Sequence, residues 1–236
     1  MGHFKTISLD QIIFENVSIV IDGFDPILQS VDLEIPMDQT IVIQSSNPMH
    51  AVHLLETLAG RKIPQGGRII WNECQPHEVE EEIAPHLQRQ LQLVGCYFED
   101  QRPPPNSTVL EIFSNSKAKS ELITEAIEHF EIEALTKKKF RDLTFEMQKV
   151  ILLITATLTE PQMLTLEDPA VGLTEKNFLN FLDWIQFGQR RGHLRHIFLT
   201  NHHPTALRHL DAAELYVEDG LIYLQDKEKF KKAVHF

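Results

Sequence analysis

The stretch from Thr40 to Gly60 constrains the fold of this chain more than any other. Ile41-Val42-Ile43 is a β-branched run without polar alternation, the pattern of a short strand buried on both faces. Asn47-Pro48 follows closely, and asparagine before proline reads as a helix N-cap followed by the first helical position. The helix is then expected to run to Ala59-Gly60 with Val52, Leu55, Leu58 and Ala59 on one face. A buried strand that passes through a short loop into a helix is the opening of an α/β unit with parallel strands.

The rest of the chain agrees with that opening. Ile12 to Ile35 alternates apolar and polar in short runs broken at Asp22-Gly23 and Asp25-Pro26, as antiparallel strands joined by turns do. Strands are expected at Arg68–Trp71, Leu91–Tyr97, Met163–Leu166 and His196–Thr200, with a closing hairpin around Glu218-Asp219-Gly220. A proline-rich loop, Gln101 to Thr108, leads into charged helical sequence from Val109 to about Lys139. Apolar helices are expected at Gln148–Leu158 and Glu175–Arg191, and a short one at Thr205–Leu210. A single domain over residues 1–236 follows, with a helical subdomain over approximately 103–150.

A formal net charge of −12 argues against nucleic acid as a partner, because phosphate backbones are held by many lysines and arginines. Two cysteines, Cys74 and Cys96, make no disulfide framework, which suits a reducing cytoplasm. The chain shows neither a signal-peptide pattern nor an apolar run long enough to cross a bilayer, so a membrane role would be borrowed from a partner.

In order, the segments resemble an ATP-binding cassette (ABC) ATPase subunit over nearly the whole chain. Val31-Asp32-Leu33-Glu34-Ile35-Pro36, Leu58-Ala59-Gly60, Gly67-Arg68-Ile69 and Glu218-Asp219-Gly220 match phrases of that family. Leu143 to Pro169 aligns without a gap to its signature-to-Walker-B block. The resemblance implies an α/β fold: a P-loop (RecA-like) core, an antiparallel β-subdomain and a helical subdomain. Met147 and Pro169-Ala170-Val171-Gly172-Leu173 are similar to the Mce/Mla-type lipid-transport branch.

The family's functional positions are replaced. A phosphate loop needs glycines whose N–H groups wrap phosphate, a lysine for the outer phosphates and a hydroxyl for magnesium. Those positions carry Ser45 and His50, Ala51, and Val52, while Pro48 lacks an N–H altogether. The signature reads Leu143-Thr144-Phe145-Glu146-Met147, so Phe145 and Glu146 are expected to set bulk and negative charge where an opposing subunit's phosphate would sit. Glu99 stands at the Q-loop glutamine, and the Walker B pair is inverted as Glu167-Asp168. Ile21 and Asp22 replace the adenine platform, with Phe24 the ring nearby. Thr174 replaces the last D-loop aspartate, and the switch histidine is kept as His202.

The resemblance with these losses implies a catalytically degenerate subunit without ATP or magnesium, acting as a structural or regulatory component of a membrane transport complex. Its partners would be an integral membrane permease, a second ABC ATPase subunit, or a second copy. It would sit in the cytoplasm, held peripherally at the inner face of the membrane. A second reading is a slow residual ATPase working through Asp168 and His202. A third is a divalent-metal site in place of nucleotide, built from His50, Asp168 and His202 with Glu167 nearby, His53 standing one helical turn beyond His50. The plainer readings are an acidic pair at a strand end for Glu167-Asp168, and a polar turn before Pro204 for His202-His203. The lysines at 227, 229, 231 and 232 read as a solvated helix end.

Overall fold

The computed structural model describes residues 12–21, 23, 25–35, 38–71, 94–200 and 210–225. Among these, β1 (Ile12–Ile19), β2 (Leu28–Ile35) and β4 (Gly66–Trp71) form an antiparallel sheet in the order β2-β1-β4. A second sheet joins β3 (Thr40–Gln44), β5 (Val94–Tyr97), β6 (Met163–Leu166), β7 (His196–Thr200), β8 (Ala213–Glu218) and β9 (Leu221–Gln225) in the order β5-β6-β7-β3-β8-β9. Its neighbours pair in parallel up to β8, and β9 returns antiparallel across the expected hairpin.

The central strands divide their side chains between two cores, as a period of two requires. Val42, Leu164, Leu166, Ile197 and Leu199 face one, which extends to Phe113, Phe140, Ile154 and Trp184. Ile41, Ile43, Met163 and Phe198 face the other, with Phe14, Trp71, Leu54 and Leu58. Strands buried on both sides therefore read as continuous apolar runs, and their C-terminal ends carry the residues of the site.

The helices are α1 (Pro48–Leu58), α2 (Val109–Asn115), α3 (Ser120–His129), α4 (Phe145–Thr157) and α5 (Glu175–Arg190), with 3₁₀ turns at Glu133–Leu135 and Phe140–Asp142. The proline-rich loop ends in a capping box, where the Glu111 carboxylate accepts from the Thr108 N–H at 2.7 Å and the Thr108 hydroxyl from the Glu111 N–H at 3.3 Å. The α4 helix lies close on the sheet, since a Cβ on Gly95 would stand 2.0 Å from the Ala156 carbonyl oxygen.

Two expectations need correction. Leu55, Leu58 and Ala59 are buried as expected, together with Ala51, Leu54 and Thr57, but Val52 is only half-buried, because it lies at the edge of the face that α1 turns to the core. The α4 helix begins at Phe145 rather than Gln148, because Thr144 caps it with a hydroxyl that accepts from the Met147 N–H at 3.3 Å. The expected strand start at 91–93 and most of the short helix at 205–210 lie outside the described residues, as do Asp22, Phe24, Pro36, Cys74, His202, His203 and the C-terminal lysines. No described helix is long and apolar enough to cross a membrane.

Candidate functional site

The loop between β3 and α1 is tied up by its own chain. The Ser46 N–H donates to the Glu218 carboxylate at 3.0 Å, the Asn47 N–H to the Ser45 hydroxyl at 3.2 Å, and the Met49 N–H to the Asn47 side-chain oxygen at 3.1 Å. Pro48 has no N–H, and the His50 N–H donates to the Asn47 carbonyl at 3.0 Å. No residue from Ser45 to Ala51 has a positive φ, so the backbone does not form the alternating nest that turns successive N–H groups onto one anion. At the lysine position, the Ala51 methyl is 2 % exposed and belongs to the core. Beyond it, the half-buried Val52 offers no hydroxyl.

Glu99, Glu167 and Asp168 gather at the ends of β5 and β6. The Glu167 carboxylate accepts from the Glu99 N–H at 2.8 Å, and burial pushes its carboxyl up from the ordinary range. Asp168 is buried in a left-handed conformation, φ +42°, with its N–H donating to the Thr200 hydroxyl at 3.1 Å. Lys149, which the sequence reading did not single out, comes up beneath them from α4. Its ammonium is almost entirely enclosed, donates to the Asp168 carbonyl at 2.6 Å, and lies 3.8 Å from a Glu99 carboxylate oxygen and 5.2 Å from the centre of the Tyr97 ring. Burial lowers the Lys149 pKa, against the pull of Glu99, Asp168 and Glu167. Burial, with Glu99 adding to it, pushes the Tyr97 hydroxyl up to about 12. The only sequence signal for Lys149 is a lysine opening the apolar run Val150 to Ile154.

The signature positions form the N-terminal turn of α4, and they contact the D-loop of the same chain. One Glu146 carboxylate oxygen accepts from the Thr174 N–H at 2.7 Å, the Thr174 hydroxyl at 2.7 Å and the Asn177 amide at 2.6 Å. Those bonds hold the Glu146 carboxyl below its ordinary pKa. Glu146 thus keeps its negative charge and turns it onto the N-terminus of α5, where N–H groups and helix dipole favour an anion. Phe145 is 63 % exposed, with its ring against Gly172. Leu143 and Met147 pack into the core beneath.

The metal grouping is not formed from the described residues. No three of their His, Cys, Asp or Glu side chains stand close enough together to hold an ion, so His50, Glu167 and Asp168 do not make a site, and His202 lies outside. His53 is engaged by Lys62 at 2.9 Å. The crevice therefore offers an acidic rim with a buried cation beneath it, and a loop in which the N–H groups of Ser46, Asn47, Met49 and His50 already have acceptors.

Residues 28–171 match the ABC transporter family. A curated relative from Haemophilus influenzae, described as an uncharacterized ABC transporter ATP-binding protein, is 21 % identical over 196 residues, covering 80 % of this chain and 73 % of the relative. An ATP-binding subunit of an ABC transporter superposes with a TM-score of 0.76 at 14 % identity, covering 94 % of this chain and 92 % of the other. A bacterial ABC transporter cassette solved as a dimer gives 0.73 at 17 %, covering 89 % and 95 %. CbiO1 of Clostridium perfringens, part of the CbiONQ transporter complex, gives 0.68 at 17 %, covering 94 % and 90 %.

Proposed function

This chain belongs to the ABC transporter family, and from that premise we propose that it is a non-catalytic cassette, a structural or regulatory subunit of a membrane transport complex. The observation that carries the proposal is the self-bonded loop. A phosphate chain would have to displace Glu218 from the Ser46 N–H, Ser45 from the Asn47 N–H, and the Asn47 cap from the Met49 N–H. It would do so without a lysine, since Ala51 stands in its place, and without the hydroxyl that Val52 replaces. Each hydrogen bond to a charged group contributes about 1.5–3 kcal/mol. Losing two or three weakens binding on the order of a thousandfold or more. These residues do not fit magnesium–nucleotide, and no hydrolytic step is assigned to Glu167, Asp168 or His202.

The partner class rests on relatives: one is a dimer, and another is part of a transporter complex. We place this chain with a membrane permease, a sister ATPase or a second copy, peripheral to the inner face of the membrane. Lipid transport is the branch favoured by Met147 and the D-loop phrase.

Calorimetric titration with millimolar MgATP, run beside a turnover assay, tests the central claim. The expected result is neither saturable heat nor phosphate release. Micromolar binding or steady turnover would overturn it and restore the residual ATPase. Purification of the native chain from its own membranes tests the partner class, with an integral membrane subunit expected to co-purify.

A further inference from the structure

Lys137, Lys138, Lys139 and Arg141 crowd together in a chain whose net charge is −12. All four are exposed. Among the described residues the three lysine ammoniums have no carboxylate partner, whereas Arg141 lies 3.6 Å from Asp142. Of the acidic neighbours, Glu131 pairs with Lys176 at 3.6 Å, Glu111 is held in the cap of α2, and Glu133 stands on the preceding 3₁₀ turn.

The backbone beneath these cations is pinned along its length. The Leu110 N–H donates to the Thr136 carbonyl at 3.0 Å and the Val109 N–H to the Lys138 carbonyl at 3.1 Å. The Phe140 N–H donates to the Ser107 carbonyl at 2.9 Å and the Arg141 N–H to the Pro105 carbonyl at 3.1 Å. Ile132 and Phe140 anchor the two sides in the core. The strut therefore presents its lysines in a fixed arrangement, and binding through them need not order the main chain first. Leu110, 45 % exposed, adds an apolar side chain beside them.

We propose that Lys137, Lys138, Lys139 and Arg141, with Leu110, form a contact surface for the anionic phospholipid headgroups of a membrane. The inference deepens, and rests on, the peripheral placement proposed above. Charge selects the occupant. Cytoplasmic loops of membrane proteins are themselves rich in lysine and arginine, so a basic strut is mismatched to them. The cytoplasmic leaflet is negative and attracts clusters of four or more such cations. The acidic remainder of the chain does not cancel that attraction, since charges further than about 8 Å from the contact are screened at physiological ionic strength. It does repel the leaflet wherever it comes close, so the strut also sets which side of the molecule approaches.

Sedimentation with vesicles tests the inference, using the full chain without a partner. One set of vesicles is phosphatidylcholine alone, and the other is equal parts phosphatidylcholine and phosphatidylglycerol. The wild type is expected to sediment with the mixed vesicles only and to be released by high salt. Replacing all three lysines by glutamine should weaken that binding about a hundredfold, and Lys138→Gln alone about fivefold, which keeps the test open if the triple variant misfolds. A control that removes equal charge elsewhere, Arg68→Gln with Lys176→Gln and Arg190→Gln, should bind nearly as the wild type does.

Failure of the wild type to bind mixed vesicles at low salt would overturn the inference, as would equal losses in the two triple variants. Binding to poly-glutamate but not to mixed vesicles would also overturn it, and would assign the strut to an acidic protein segment. A permease that co-purifies with a chain indifferent to vesicles would overturn it too, leaving the subunit reading in place. MgATP binding would defeat the non-catalytic reading without altering vesicle binding.

Discussion

The loop at Ser45–Val52 and the turn at Leu143–Met147 have departed from the family pattern in opposite ways. The loop has folded its donors inward: its N–H groups end on Glu218, Ser45 and Asn47, and its lysine position has joined the core. The signature turn has gained new contacts. Glu146 collects three hydrogen bonds from Thr174 and Asn177, and Phe145 covers Gly172. One region has been absorbed into the fold, while the other has become a staple between α4 and the start of α5 on the surface. Restoring family chemistry should therefore disturb the core at the loop and only local contacts at the signature.

Ala51→Lys is the sharpest way to break that contrast. A charged four-carbon side chain forced into a methyl-sized core position should cost roughly 2–4 kcal/mol, read from urea unfolding. A variant of wild-type stability that also binds MgATP would place the loop in the same category as the signature. Glu146→Ala is next, at about 1–2 kcal/mol, since three hydrogen bonds to a partly solvated carboxylate are lost.

Acid sharpens the Glu146 test. Its carboxyl lies below the ordinary 4.5 in the folded chain. The stabilisation it gives is therefore complete above the unfolded value and lost as pH falls through the folded one. The stability gap between wild type and Glu146→Gln should accordingly close as pH drops below that range, which parallel unfolding curves would measure.

Gly172→Ala has a smaller effect, about 1 kcal/mol. Its φ of +76° disfavours a side chain, and the new Cβ would stand 2.9 Å from the Phe145 ring. Phe145→Ala should remove the steric part of that loss and by itself stay within about 0.5 kcal/mol of wild type.

Local patterns explain why some of this was legible. Asn47-Pro48 announces a helix start because cap and first turn are set by adjacent residues, and the Asn47 side chain does accept from Met49. The buried runs at β3, β6 and β7 announce a parallel sheet because both of their faces are apolar. Thr144 was the harder case. Its capping role hides inside a motif whose usual glycines suggest a loop, so α4 begins earlier than the apolar run. Val52 misled for a related reason, since an apolar residue at helical spacing need not face the nearest sheet.

By itself the sequence determined the family, the order of strands and helices, and the presence of Ala51 and Val52 where a lysine and a hydroxyl would stand. Adjacent residues carry those properties. Only the tertiary structure decided what those positions and their neighbours touch. The Glu218 carboxylate reaches the Ser46 N–H from 172 residues away, and Lys149 comes under the acidic rim from a different helix. Such contacts depend on how strand ends and helix ends converge, and no spacing along the chain encodes them directly.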